Sequence, residues 1–237
     1  PTVMLPLSTQ TVDTAGNITV GASHGYTLDN NVVAPGFSLN ADTGSNGTDR
    51  ITKDGLVNVS GLEAGATWQY TTDGTNWNNG VGNSFMLGEG AYVTGNIQVR
   101  QTDLAGNTST ATSNAATIAV DATPPTTPGF ALASDTGSSG SDGITSNGLV
   151  NVSGLELGAT WQYTTNGTDW NNGAGNSFML GEGTYVAGNI QVRQTDVAGN
   201  LSTATSNAAA ITVDATITAP SIALNHDTGS SSDGITK

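Results

Sequence analysis

TWQYTTDGTNW (67–77) and its near-copy TWQYTTNGTDW (160–170) decide the fold. In the first of them Trp68 and Tyr70 fall on one face, while Thr67, Gln69 and Thr71 fall on the other. Alternation of this kind, in aromatic and β-branched residues, predicts a strand with one face in a core. Asp-Gly in one copy and Asn-Gly in the other then suit a tight hairpin turn. The same pattern extends outward. VNVSGL (57–62), SFML (84–87), NIQVRQT (96–102) and ATIAV (116–120) are short strand-forming runs set between Gly, Asn and Asp. In NIQVRQT, Ile97 and Val99 point inward, with Gln98, Arg100 and Thr102 outward. No window carries the period of about 3.6 residues that marks a helix.

The chain repeats itself. Residues 37–123 shifted forward by 93 positions onto 130–216 leave only 18 differences. Trp68 falls on Trp161, Trp77 on Trp170, Glu89 on Glu182 and Asp103 on Asp196. A polar loop, DTGSNGTDRIT from Asp42, recurs as DTGSSGSDGIT from Asp135 and DTGSSSDGIT from Asp227. Asp13-Thr-Ala-Gly-Asn17 echoes Asp103-Leu-Ala-Gly-Asn107, so residues 1–30 read as the end of a more divergent preceding repeat. Two full repeats follow, 31–123 and 124–216, and 217–237 begins another. The chain is expected to be a piece of a longer array. About seven short strands in roughly 90 residues match an immunoglobulin-like β-sandwich, whereas a propeller blade needs only about 45. The junctions DATPPTTPGF (121–130) and DATITAPSI (214–222) are short and contain proline. Such linkers hold successive units in file, which predicts an extended rod.

Composition narrows the function. Among 237 residues there are 32 glycines, no cysteine, and 19 acidic against 5 basic side chains, a formal charge of −14. The absence of cysteine removes disulfides and thiol catalysis. So acidic a surface disfavours nucleic acid and anionic membranes as partners, and points instead to hydrated surfaces or to cations. No apolar run approaches the roughly 20 residues of a membrane span, and none reads as a signal peptide.

With these residues in view, the chain resembles the bacterial immunoglobulin-like repeats of giant secreted adhesins, the RTX-type and biofilm-associated surface proteins. The resemblance rests on DTGxxxxDxIT after the first strand, GLExGATWQY in mid-repeat, QTDxAGN near the end and VDATxP at the junction. It covers both full repeats and, more weakly, both flanks. One departure is a longer path between Tyr92 and Asp103, where VTGN in the first repeat and VAGN in the second read as an inserted bulge. The resemblance implies an extracellular extender on the bacterial cell surface. Such an extender carries adhesive domains toward host or surface glycans and is stiffened by calcium at or near its junctions.

Strand order gives the acids a place independently of that resemblance. In a seven-strand sandwich with termini at opposite poles, the loop bearing Asp42 and Asp49 lies at the far pole, where Asp121 also leaves. Glu63 and Asp103 lie at the near pole. Asp42, Asp49 and Asp121 are therefore expected to face Glu156 and Asp196 of the next repeat, with Asp135, Asp142 and Asp214 set likewise at the following junction. Asp29 is expected to face Glu63 and Asp103. Carboxylates gathered in this way repel unless a cation neutralises them. Oxygen ligands in Gly-rich loops suit Ca²⁺ better than Mg²⁺ or Zn²⁺, at an extracellular affinity of about 10⁻⁴ to 10⁻³ M. The competing reading makes each aspartate a former of Asx turns.

The remaining candidates divide in the same way. Trp68 and Trp161 belong on a central strand and in the core. Trp77 and Trp170 follow the hairpin turn among Asn and Gly, where an indole either stacks on a sugar ring or packs on its own sheet. Tyr92 and Tyr185 occupy the place of a tyrosine corner. Arg100 and Arg193 either pair with Glu89 and Glu182 or cover the sheet face. The exchange of Asp73/Asn76 for Asn166/Asp169 reads as loop solvation. His24 and His226 lie in unlike contexts and no Ser has a partner base, so no enzymatic activity is expected. Two alternatives to the extender stand beside it: a repeat that itself binds glycan or neighbouring chains, and a subunit of a surface layer or fibre.

Overall fold

A computed structural model describes residues 3–222, together with Thr228 and Gly234. Apart from those two residues, the third D-T-G copy lies outside the described residues, as does His226. Every regular element among the described residues is a strand. In the N-terminal segment, β1 (Val3–Leu7) pairs antiparallel with β4 (His24–Leu28), and β2 (Gln10–Val12) with β3 (Ile18–Val20). The turn between β2 and β3 is closed by Asp13, which accepts from the amides of Ala15 and Asn17 and from the Asn17 side chain.

The first full repeat contains β5 (Gly36–Leu39), β6 (Ile51–Thr52), β7 (Leu56–Ser60), β8 (Thr67–Thr71) and β9 (Asn78–Asn79). It continues with β10 (Ser84–Met86), β11 (Gly90–Tyr92), β12 (Gln98–Thr102), β13 (Thr112–Ser113) and β14 (Ile118–Val120). The first sheet has the order β10-β7-β5, and the facing strands run β13-β12-β8-β9 and β11-β14-β6. The rung between β6 and β14 is parallel, the others antiparallel. All these strands recur 93 residues later, from Gly129–Leu132 to Ile211–Val213. This is an all-β, immunoglobulin-like sandwich, present twice.

The inserted bulge is a real feature. A turn from Val93 to Asn96, closed by an Asn96 amide bond to the Val93 carbonyl (3.0 Å), divides one long strand into β11 and β12. Asn114 stitches the break from within. Its Oδ1 accepts from the amides of Gly95 and Ile97, and its Nδ2 donates to the carbonyls of Tyr92, Val93 and Ala116.

Alternation sets the core. Val57, Val59, Trp68, Phe85, Ile97, Val99, Ile118 and Val120 are buried together, with Tyr70 stacked on Phe85 at 4.3 Å. Trp68 lies flat beneath Gly80, where any Cβ would come within 2.0 Å of the indole. Its Nε1 donates to the Gly82 carbonyl at 2.9 Å. Val150, Val152, Trp161, Phe178, Leu180, Ile190, Val192 and Val213 form the corresponding core of the second repeat. Polar residues join the interior as well, Thr71 and Gln101 among them. Thr71, on the face opposite Trp68, is fully buried and donates to Asp73, and Gln101 continues the inward series of Ile97 and Val99.

Grouped by contact, the chain forms two compact units. The first comprises Pro1–Thr126 with Glu156–Thr160 and Gln194–Ser202. The second comprises Thr127–Leu155, Trp161–Arg193 and Thr203–Lys237.

Candidate functional site

In the first D-T-G loop, Asp42 Oδ2 accepts the Arg50 amide at 2.9 Å and Asp49 Oδ1 accepts the Ile51 amide at 3.0 Å. Thr43 Oγ1 accepts the Lys53 amide at 2.8 Å, so the loop folds back on itself. The turn forces residue 50 into the left-handed region, with Arg50 at φ 64° and its counterpart Gly143 at φ 74°. The second copy reproduces the bonds, Gly143 to Asp135, Ile144 to Asp142 and Ser146 to Thr136.

The other acids are held just as locally. Asp103 accepts the Asn107 amide at 2.8 Å and its side-chain Nδ2 at 2.7 Å, which occupies both carboxylate oxygens. The Asn107 side chain, with the turn amides, holds this carboxyl below the ordinary range, against the opposing effect of its partial desolvation. Asp196 is closed on Asn200 in the same way. Asp121 and Asp214 cap Thr123 and Thr216, and Asp29 caps Asn31. Glu63 Oε1 accepts the Val33 amide, and Glu156 Oε1 the Thr126 amide, both at 3.0 Å.

Sequence reasoning overlooked the residue that organises this last contact. Gln101 Nε2 donates to the carbonyls of Val33 (2.7 Å) and Gly61 (3.1 Å), while its Oε1 accepts the Glu63 amide (2.9 Å). Gln194 likewise joins Thr126 to Glu156. The available signal was its place two residues beyond Val99, which put a large polar group on the core face.

The atoms that touch are not the carboxylates that strand order had led one to expect. Within the first unit, the D-T-G loop meets the turn Val197-Ala198-Gly199. Thr43 Oγ1 donates to the Ala198 carbonyl, Lys53 Nζ donates to the Gly199 carbonyl at 2.7 Å, and Asn200 Nδ2 donates to the Asp121 carbonyl at 2.8 Å. A Cβ on Gly44 would lie 2.1 Å from the Val197 carbonyl oxygen, so only glycine allows the approach. Ala198 is 0%, Asn200 6% and Asp196 7% exposed, whereas Leu104 of the equivalent first-repeat turn is 83% exposed.

The expected gathering of carboxylates is not formed. Among the described residues no three His, Cys, Asp or Glu side chains converge on a point that could hold a metal. Peptide carbonyls, hydroxyls and one ammonium meet where Asp42, Asp49, Asp121, Glu156 and Asp196 were expected to share an ion. One oxygen per D-T-G loop stands apart: Asp42 Oδ1 and Asp135 Oδ1 are buried without a hydrogen-bond partner.

The aromatic candidates are structural in their contacts. Arg100 lies 4.0 Å above the Trp77 ring and Arg193 3.8 Å above Trp170, so a guanidinium covers one face of each indole. Each arginine also forks onto a glutamine, Arg100 onto Gln69 and Arg193 onto Gln162. Of the two expectations for these arginines, pairing with glutamate is not the one formed. Glu89 and Glu182 instead accept from Thr123 and Thr216. Tyr92 and Tyr185 donate to the carbonyls of Gly88 and Gly181 four residues upstream, as a tyrosine corner does. The Asp/Asn exchange also has a structural reason: Asp73 Oδ1 and Asn166 Oδ1 each accept the two following turn amides.

No family model and no curated protein matches the chain. Among solved structures, it is similar to the fibronectin(III)-like modules of Clostridium thermocellum CbhA. The likeness has 11% identity and a TM-score of 0.40, covering 79% of this chain and 100% of that one.

Proposed function

We propose that this chain is an extender segment of a secreted bacterial surface adhesin, whose tandem sandwiches space a distal binding domain from the cell. The observation that carries this reading is the grip of the D-T-G loop on the Val197–Gly199 turn. It is a contact between near-identical repeats, made through backbone carbonyls and glycine, and suited to mechanical continuity. The guanidinium-covered indoles support a packing role for Trp77 and Trp170 over a glycan platform.

The test is substitution by length. Deleting the segment from the parent adhesin should reduce cell adhesion, and an unrelated folded spacer of equal length should restore it. Failure of the spacer, or glycan binding by the isolated chain, would overturn the reading.

Calcium enters this proposal in a narrower form than a shared seam. The buried Oδ1 atoms of Asp42 and Asp135 are the carboxylate oxygens left to receive a cation, with loop carbonyls as the remaining oxygen donors. Bound there, the ion would neutralise the aspartate within its own loop, apart from the contact with the Val197–Gly199 turn.

A further inference from the structure

We infer that the grip within the first unit is a metal-free latch, closed by the Lys53 ammonium in the place where a calcium ion was expected. Four observations on separate atoms lead to it. Apart from Asp42 Oδ1, the aspartates and glutamates expected at this seam give oxygens to nearby amides, and no three acids converge among the described residues. Lys53 Nζ reaches the Gly199 carbonyl at 2.7 Å, and a last-turn carbonyl with a cation against it is electrostatically satisfied without an ion. Thr43 is held by the Lys53 amide and donates onward to Ala198, so both partners of the turn belong to one short loop. Finally, Ala198 is buried and Val197 and Gly199 half-buried in the turn that receives them, whereas Leu104, Ala105 and Gly106 of the equivalent first-repeat turn are exposed.

The lysine is not common to every copy of the loop. Position 53 is Lys in the first D-T-G repeat, Ser146 in the second and Lys237 in the third. The second loop therefore keeps the fold of the first but offers a hydroxyl where the first offers a charge, and Ser146 Oγ is paired within its own loop to Thr136. With only 5 basic residues in the chain, a lysine on such a loop is not incidental to a uniformly mixed surface. The inference concerns how the repeats are held and stands whether or not the segment serves as an extender.

Amide exchange of the full chain at residues 197–200 tests it, in chelator and in calcium. The expected result is the same protection in both conditions, and a rise of roughly tenfold in exchange for Lys53→Met, the scale of one charge-assisted hydrogen bond. Core amides such as those of Val57 and Ile97 should not move. A second pair of variants separates the contact from backbone strain. Gly44→Ala should expose the turn, because its Cβ would lie 2.1 Å from Val197 O, while Gly137→Ala should leave residues 197–200 protected, because its Cβ meets nothing within 4 Å. Both glycines have positive φ, 99° and 110°, so intrinsic strain is shared. Loosening of the turn by chelator, or unchanged exchange in Lys53→Met, would overturn the latch.

Discussion

Arg50 holds a left-handed backbone at φ 64° because Asp42 pins its amide, and the second repeat meets the same demand with Gly143. The non-glycine strain is about 1–2 kcal/mol, partly offset by the freedom glycine gains when unfolded. Arg50→Gly should therefore stabilise the first repeat by roughly 0.5–1 kcal/mol, read as a higher urea midpoint at unchanged slope. Asp73 offers a second contrast. Hydrogen bonds from the Asn76 amide and side chain, and from the Thr75 amide, lower its pKa, so its folded value lies below its unfolded one. Its contribution is thus complete above the unfolded pKa of about 4 and is lost as the pH falls through the folded value. Protection at Thr75 and Asn76, taken relative to the intrinsic exchange rate at each pH, should fall on acidification. Thr168 and Asp169, whose amides bond to the uncharged Asn166, should stay protected. Asp73→Asn should make the first turn behave like the second.

Among the strands, β12 shows how one period-2 run serves two purposes. Ile97 and Val99 fill the core, and Gln101, the next inward residue, reaches past the core to the incoming linker. Gln101→Leu keeps the volume and orphans the Glu63 amide and the Val33 and Gly61 carbonyls. At about 1–3 kcal/mol for each buried group left unpaired, a loss of roughly 3 kcal/mol is expected in thermal or urea unfolding. Trp68 and Tyr70 were legible from alternation alone, as was Tyr92 from its place after LGEGA. Gln101 was hidden, because a polar side chain on a core face has no partner that the local sequence can name. The aspartates were half legible. Strand order gives an expected pole for each loop, but whether a carboxylate oxygen faces an ion or a neighbouring amide depends on where the backbone turns within two or three residues.

For the chain as a whole, a charge of −14 with 5 cations means that self-repulsion opposes the compact state. Sodium chloride alone should therefore raise the melting temperature by screening. Calcium compared at matched ionic strength isolates ion binding. Any increment over sodium should disappear in the Asp42→Asn/Asp135→Asn double variant, since these aspartates own the buried unpaired oxygens. An increment that survives the double variant would place the ion elsewhere.

Alternation, turn residues and the 93-residue repeat determined the strands, the core faces and the duplicated sandwich before any coordinates, because each is written in spacing along one short stretch. Burial of the polar loops was not written there. QTDLAGN (101–107) and QTDVAGN (194–200) differ at one position, yet Ala105 is exposed and Asp103 and Asn107 half-buried in the first, while Ala198, Asp196 and Asn200 are buried in the second. The difference lies in what covers each turn. Thr43, Gly44 and Lys53, far away in sequence, close on the second turn, and only the tertiary structure brings them there.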